Sequence, residues 1–133
     1  MANPEHLAQL DEGVEAWNQW RKRKENEHLD IDLSAAEPAV KDLTGADLHR
    51  VNLKEAKLPG AKLGHGTVLC DSDFSGAVLT GADLHDVIFT GADLCDAIMR
   101  EAILQGADLS GTIRGLRTEQ LAGSDLSLAN WLG

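Results

Sequence analysis

Three sets of side chains in this chain have types and spacing that could do chemistry. His65 and His85 stand twenty residues apart, with Asp86 beside the second. A metal centre needs three or four convergent ligands. The sequence offers no obvious third or fourth, so the pair reads as two exposed histidines at chain corners. Asp73 and Asp93 are also twenty residues apart, and Asp47 and Asp108 bracket Val68 and Ile88 in the same spacing. Paired carboxylates can act as general acid and base. That work needs a cleft that excludes water and shifts pKa values. Cys70 and Cys95 each follow a large apolar residue and have no His–Asp partner set. They read as inert, reduced thiols, not as nucleophiles or a disulfide framework. No catalytic, metal or cofactor-binding residue is assigned, and the chain is expected not to be an enzyme.

The recurring interval of twenty is four times a shorter one. From Ala46 to Leu109 the chain repeats every five residues, in thirteen units with one extra residue in Gly64-His65-Gly66. The third position of each unit holds Leu48, Leu53, Leu58, Leu63, Leu69, Phe74, Leu79, Leu84, Phe89, Leu94, Met99, Leu104 and Leu109. Two residues before each stands Ala, Val, Thr or Ser. A short fixed period over most of a chain is the mark of a solenoid. Five is neither the helical period of about 3.6 nor the strand period of about 2. In Ala92-Asp93-Leu94 the outer two residues point one way and Asp93 the other, as in a short extended segment. The other two residues of the unit must turn a corner, and Gly45, Gly60, Gly76, Gly81, Gly91, Gly106 and Gly111 lie in or beside such corners. Four sides and four corners close a square coil, stacked on the next at a strand spacing of about 4.8 Å. The expected inner columns are Leu48–Leu69–Phe89–Leu109, Leu53–Phe74–Leu94, Leu58–Leu79–Met99 and Leu63–Leu84–Leu104. A narrow square has no room for further large groups, so the second inward position stays small.

Before the repeats, residues 4–28 read as one helix. Asn3 is a suitable N-cap and Pro4 suits the first helical position. Leu7, Leu10, Val14 and Trp17 form an apolar stripe that Trp20 widens. Such a helix is expected to cap the first coil, because an open solenoid end is an unpaired edge. The basic run Arg21–Lys24 reads as a solvated helix end that suits the helix dipole. Residues 29–44 are expected to form a degenerate first turn or a loop, since Pro38 and Lys41 fit the register poorly. After Leu109 the register breaks: residues 115–123 read as a short excursion with a helical turn, Thr118 as N-cap and Gly123 as terminator. Repeats resume at Leu126 and Trp131. The organisation expected is thus a capping helix at 1–28 and a solenoid at 29–133, regular over 46–111, with final repeats at 124–131.

The repeat resembles the pentapeptide-repeat family, whose motif is often written A(D/N)LXX. The match runs through residues 46–111 and in part through 124–131. The resemblance implies an all-β solenoid, a right-handed quadrilateral β-helix. The N-terminal helix and the late excursion are also similar to features of bacterial, often cyanobacterial, members. Val68, Val78, Ile88, Ile98 and Ile103 depart from the motif by putting apolar residues at the usual Asp/Asn position.

The chain carries a net charge of -10. Residues 64–111 hold eight carboxylates against Arg100 alone, or -7. That field disfavours nucleic acid and favours basic surfaces. The chain is expected to be cytoplasmic: it has no run long enough to span a bilayer and no secretory signal at its start. It is also read as one segment of a longer protein, because nothing after Trp131 resembles a terminus. The function expected is a non-catalytic protein-interaction or scaffold module, monomeric or weakly dimeric, with a protein partner and neither nucleic acid nor membrane. Two kinds of surface are candidates: an acidic face of Asp73, Asp83 and Asp93, and apolar contact faces at Val68–Ile88 and Val78–Ile98. The alternative, implied by the resemblance, is an acidic DNA mimic that binds a type II topoisomerase such as gyrase.

Overall fold

Each five-residue unit builds one side and one corner. In Phe89-Thr90-Gly91-Ala92 the Ala92 N–H donates to the Phe89 carbonyl at 2.7 Å. Gly91, with φ 73°, takes the left-handed position of a type II turn. Elsewhere non-glycine residues hold that position: Arg50, Glu55, Asp71, Asp86, Asp96 and Glu101 have φ between 55° and 61°. The computed structural model describes residues 1–39, 41–112 and 117–130.

Successive coils are joined by parallel bridges, one residue per side, which define four columns. The first face stacks Asp47, Val68, Ile88, Asp108 and Asn130. The second stacks Asp32, Asn52, Asp73 and Asp93, and the third Lys57, Val78 and Ile98. The fourth stacks Asp42, Lys62, Asp83, Ile103 and Asp125. The step is 21 residues where a coil includes Gly64–Gly66 (Asp47 to Val68), 20 in the next (Val68 to Ile88) and 22 in the last (Ile103 to Asp125), so the single extra residue of Gly64–Gly66 is absorbed at a corner. Among the described residues the pairing consists of these isolated bridges and not of extended strands, because each side is only long enough for one bridged residue.

The thirteen large third-position residues are all buried, as expected, in the predicted columns. Phe74 and Phe89, on adjacent faces, meet edge-on with centroids 5.8 Å apart. The first coil begins earlier than the regular repeat. Ile31, Leu33, Ala36 and Leu43 are buried in the same core, and Pro38 is buried at the inward third position beneath Leu58. Of the two expectations for residues 29–44, a degenerate first turn is what forms.

The expected single helix over 4–28 is two helices, α1 (Pro4–Asp11) and α2 (Val14–Lys22), followed by a 3-10 turn at Lys24–Asn26. The break is at Gly13, whose φ of 111° no helix accommodates. The apolar stripe survives because both helices turn it toward the same end of the tube, with Leu10 and Trp17 buried in the common core.

The side chains of these helices occupy the hydrogen-bonding positions of a missing coil. In the regular stack an outward residue's N–H bonds to the coil below, as Val68 N–H does to the Ala46 carbonyl. At the open edge of the first coil, Asp47 N–H instead donates to Asn18 Oδ1 at 2.8 Å, and Asn18 Nδ2 donates to the Gly45 carbonyl at 2.9 Å. Trp17 Nε1 and Arg21 Nη1 donate to the Asp47 carbonyl at 2.8 and 2.9 Å, and Arg21 Nη1 also reaches the His49 carbonyl at 2.9 Å. On the second face, Asn3 N–H donates to the Asp32 carbonyl at 2.9 Å, while Asp32 N–H donates to His6 Nδ1 at 3.1 Å. On the third, Ala39 N–H donates to Asp11 Oδ1 at 2.8 Å, the bond that an outward Asp or Asn makes within its own unit elsewhere and that Glu37 does not make here.

At the other end, Thr118–Leu121 is a 3-10 turn. Thr118 is its first residue and not its N-cap; Arg117 precedes it, with its N–H on Gln120 Oε1 at 2.7 Å. Buried Gln120 also donates to the Ala97 carbonyl at 2.7 Å, and Met99 N–H donates to the Gln120 carbonyl. The turn therefore supplies one side of the next coil, and Gly123 (φ 74°) turns its corner. Gly115, Leu116 and Trp131 lie outside the described residues.

Candidate interaction faces

The outward residue of each unit has two jobs, and only one of them is visible in the repeat. Where it is Asp or Asn, its Oδ1 accepts the N–H two residues on. Asp73 takes Ser75 N–H at 2.9 Å, Asp93 takes Cys95 N–H at 2.9 Å, Asn52 takes Lys54 N–H at 3.0 Å and Asp108 takes Ser110 N–H at 2.9 Å. These are Asx turns that close the corners. An outward carboxylate is therefore a structural tie as well as a surface charge. Asp93→Ala is expected to cost about 1 kcal/mol, on the scale of a lost cap. Asp93→Asn, which keeps the acceptor, should leave the urea midpoint nearly unchanged.

The ties leave a titration signature. Hydrogen bonds from Ser34 lower the carboxyl pKa of Asp32, those from Thr44 lower that of Asp42, and those from Ser110 and Ser127 lower those of Asp108 and Asp125. A carboxyl with a folded pKa below its unfolded value stabilises the fold above that unfolded value and loses the contribution as protonation sets in. The contribution of these carboxyls should thus be complete above the ordinary value of 3.8, and melting temperature should fall as pH drops below it. A melt series in acid, at fixed ionic strength, checks this.

The proposed acidic face does not form as one surface. Asp73 and Asp93 are neighbours on the second face, but Asp83 lies on the fourth, across the tube. The ten-residue spacing from Asp73 to Asp83 is two sides of a four-sided coil, which reverses the outward direction. The apolar columns do form. Val68 and Ile88 adjoin on the first face and are 36% and 46% exposed. Val78 and Ile98 adjoin on the third, Ile98 being 40% exposed. The two pairs are on opposite faces. Ile103, on the fourth face above Asp83, is 42% exposed and belongs with them. Neither the N-terminal helices nor the described part of the late excursion covers these pairs. The helices sit on the end of the first coil and the excursion continues the stack.

The first-face pair has a mostly acidic rim, in which Asp47 is engaged by Arg21 at 3.9 Å and by His49, and Arg50 holds the corner below Asp71. Asp47 and Asp108 stand below and above the pair in the column, and Asp71 and Asp86 occupy the adjoining corners. The third-face pair has a mixed rim: Lys57, next in the column, is paired with Glu37 at 3.2 Å.

The remaining candidates separate. His65 is exposed. His85 sits over Gly64, where a Cβ would meet its ring, and its Nδ1 lies 2.6 Å from Asp83 Oδ1. That bond raises the His85 pKa. Burial pushes the Asp83 carboxyl up, but the bonds with His85 outweigh it and the net shift is down. Among the described residues no group of three or more His, Cys, Asp or Glu is placed to hold a metal ion. Burial raises the Cys70 thiol pKa, and the Asp96 charge raises that of Cys95. Both thiolates are thereby suppressed. Among the described residues no helix is long and apolar enough to cross a membrane.

Comparison with known proteins agrees with the repeat geometry. Residues 41–64, 65–94 and 77–113 match the family described as pentapeptide repeats, in eight copies. None of the curated proteins matches the chain significantly. The crystal structure of a pentapeptide-repeat protein from the cyanobacterium Cyanothece 51142 is 30% identical, over 72% of this chain and 66% of its own, with a TM-score of 0.39. A pentapeptide-repeat protein of the Arabidopsis thaliana thylakoid lumen is 31% identical, over 74% of this chain and 59% of its own, with a TM-score of 0.36. A trypsin-treated variant of QnrB1, a plasmid-mediated fluoroquinolone resistance protein, is 22% identical, over 71% of this chain and 56% of its own, with a TM-score of 0.50. That last likeness is one of fold. The chain spans less than two thirds of the length of each of these structures.

Proposed function

The chain belongs to the pentapeptide-repeat family, with the right-handed quadrilateral β-helix that this implies, and from that premise we propose that it is a non-catalytic protein-interaction module. The observation that supports this reading is the Val68–Ile88 column, an exposed apolar pair with Asp47 below it, Asp108 above it and Asp71 and Asp86 at adjoining corners. A convex side of the tube has no enclosed pocket for a reaction. It offers a flat, rigid surface whose contacts repeat at the coil spacing. Such a surface suits a segment with two apolar groups one coil apart and basic residues outside them. Rim charges of this kind raise association rates and select partners more than they add affinity.

A fluorescent probe peptide of alternating leucine and lysine tests the reading. Anisotropy should report binding that Val68→Ser with Ile88→Ser abolishes, while Val78→Ser with Ile98→Ser on the opposite face leaves it intact. Equal binding by all three proteins defeats the assignment of this face.

The -7 charge over residues 64–111 favours a second reading, an acidic DNA mimic acting on a type II topoisomerase. The separation of Asp83 from Asp73 and Asp93 makes it testable face by face. Inhibition of gyrase supercoiling should fade as salt screens the charges. It should be lost in Asp73→Lys with Asp93→Lys and retained in Asp83→Lys. No inhibition at micromolar protein removes this reading.

A further inference from the structure

We propose, on the reading that the first face is the contact surface, that its partner is a second copy of this chain, docked by its third face. The two faces carry the apolar columns Val68–Ile88 and Val78–Ile98 and lie on opposite sides of the tube. Both columns have the same one-coil spacing, about 4.8 Å. They are out of step along the axis, because the ten residues from Val68 to Val78 are half a coil. A second copy moved sideways, without rotation, brings its third face onto the first face of its neighbour. The half-coil offset then sets its Val78 at a level between Val68 and Ile88, and its Ile98 just above Ile88. The columns interleave, as side chains of packed sheets do at a separation of about 10 Å. The exposed parts of these aliphatic side chains leave water together.

The edges of the two faces are matched in charge. Opposite sides of a square coil run in opposite directions. The edge that follows the first face, with Arg50 and Asp71, therefore meets the edge that precedes the third, with Lys54 and Glu55. The edge that precedes the first, with Asp86, meets the edge that follows the third, with Arg100 and Glu101. All of these charged residues are exposed. With the columns interleaved, Arg50 is level with Glu55. Asp71 stands less than one coil above Lys54, and Asp86 less than one coil below Arg100. Glu55 and Glu101 lie against the corners above them, under Gly76 and Gly123. Asp96, on the same edge as Lys54, is more than one coil above Asp71. Two first faces do not match in this way, since Asp71, Asp86 and Asp108 would meet carboxylates. A contact between unlike faces on opposite sides does not close. Copies add side by side into an open row whose ends present one free face of each kind. The net charge of -10 opposes close approach, and salt screens it beyond about 8 Å at physiological ionic strength. The contact is small and exchanging, at the low end of interface sizes.

Sedimentation velocity of the intact chain at physiological ionic strength reads the row directly. Mean mass should rise with concentration without stopping at a dimer. Val68→Ser with Ile88→Ser removes the first face only, and Val78→Ser with Ile98→Ser the third face only. Each double variant should be monomeric alone. Mixed, they should form a one-to-one dimer and nothing larger, because each supplies the face that the other lacks. Arg100→Glu, which leaves the apolar columns intact, serves if a double variant does not fold. It should associate roughly threefold more weakly than the intact chain, and a mixture with Asp86→Lys should recover the loss. An intact chain that stays monomeric up to about 1 mM, which half fills a site of that dissociation constant, overturns the proposal. So does a mixture of the double variants that stays monomeric, or association of either one alone, in which like faces pair. The leucine–lysine peptide separates this partner from the reading beneath it. A peptide bound by the first face of a chain that never associates refutes the second copy and leaves the contact face standing. Rows that the peptide dissolves support both.

Discussion

Ala77→Leu is expected to be the most damaging conservative change in the tube. The inner small position of the third face is alanine in four stacked coils, Ala36, Ala56, Ala77 and Ala97, all buried. Their stacking follows from Val78 N–H on the Ala56 carbonyl and Ile98 N–H on the Ala77 carbonyl, at 2.9 and 2.8 Å. Coils bonded at that spacing cannot move apart, and the centre is already filled by Leu58, Leu79 and Met99. Three added carbons have nowhere to go. The cost should reach about 3 kcal/mol or more, the upper end for overpacking, read from urea denaturation with the slope checked for two-state behaviour. The second face answers differently, because its small column runs Ile31, Val51, Ser72, Ala92 and already holds branched residues. Ala92→Val should therefore cost under about 1.5 kcal/mol, as for a tolerated core exchange. Equal losses at Ala77→Leu and Ala92→Val would refute this difference between faces.

Trp17→Ala should be nearly as severe and should fail in a different way. Trp17 is fully buried, lies 5.2 Å from the Trp20 ring, and donates Nε1–H to the Asp47 carbonyl. Its truncation removes the contact that seats α2 on the first coil, with an expected cost of about 3–5 kcal/mol. The regular coils above do not depend on it. The predicted outcome is an early transition in the thermal melt, followed by association of the bared edge in light scattering. Deleting residues 1–28 should give the same association without the early transition. A truncated chain that stays monomeric and melts with the intact protein would show that the helices are not a cap.

Most of the tube could be read from the chain. The five-residue period dictated four sides, and the side-to-side spacing predicted every inner column from Leu48 to Leu109. It also placed the extra residue of Gly64–Gly66 at a corner. These features are local: each follows from which residues alternate about an extended one and from the volume available inside. The earlier start of the first coil at Ile31 was hidden because the bridge partners of Asp32 and Asp42 lie twenty residues on, and because Pro38 and Lys41 within that coil obscure the register.

What the sequence by itself determined is the repeat, its inward and outward assignments, and the two apolar columns of the first and third faces. What only the tertiary structure decided is what lies between units. The helical stripe over residues 4–28 could not reveal the break at Gly13, since α1 and α2 point it at one core. Asp93 looked like a plain surface charge until its corner closed on Cys95 N–H. Asp73, Asp83 and Asp93 share a residue type and a multiple of the period, yet ten residues is half a coil and sends Asp83 to the opposite side. Asn18, Trp17, Arg21 and His6 carry no repeat signal at all. Their role exists because the first coil has unpaired backbone groups and nothing below it, a need that appears only once the chain has closed.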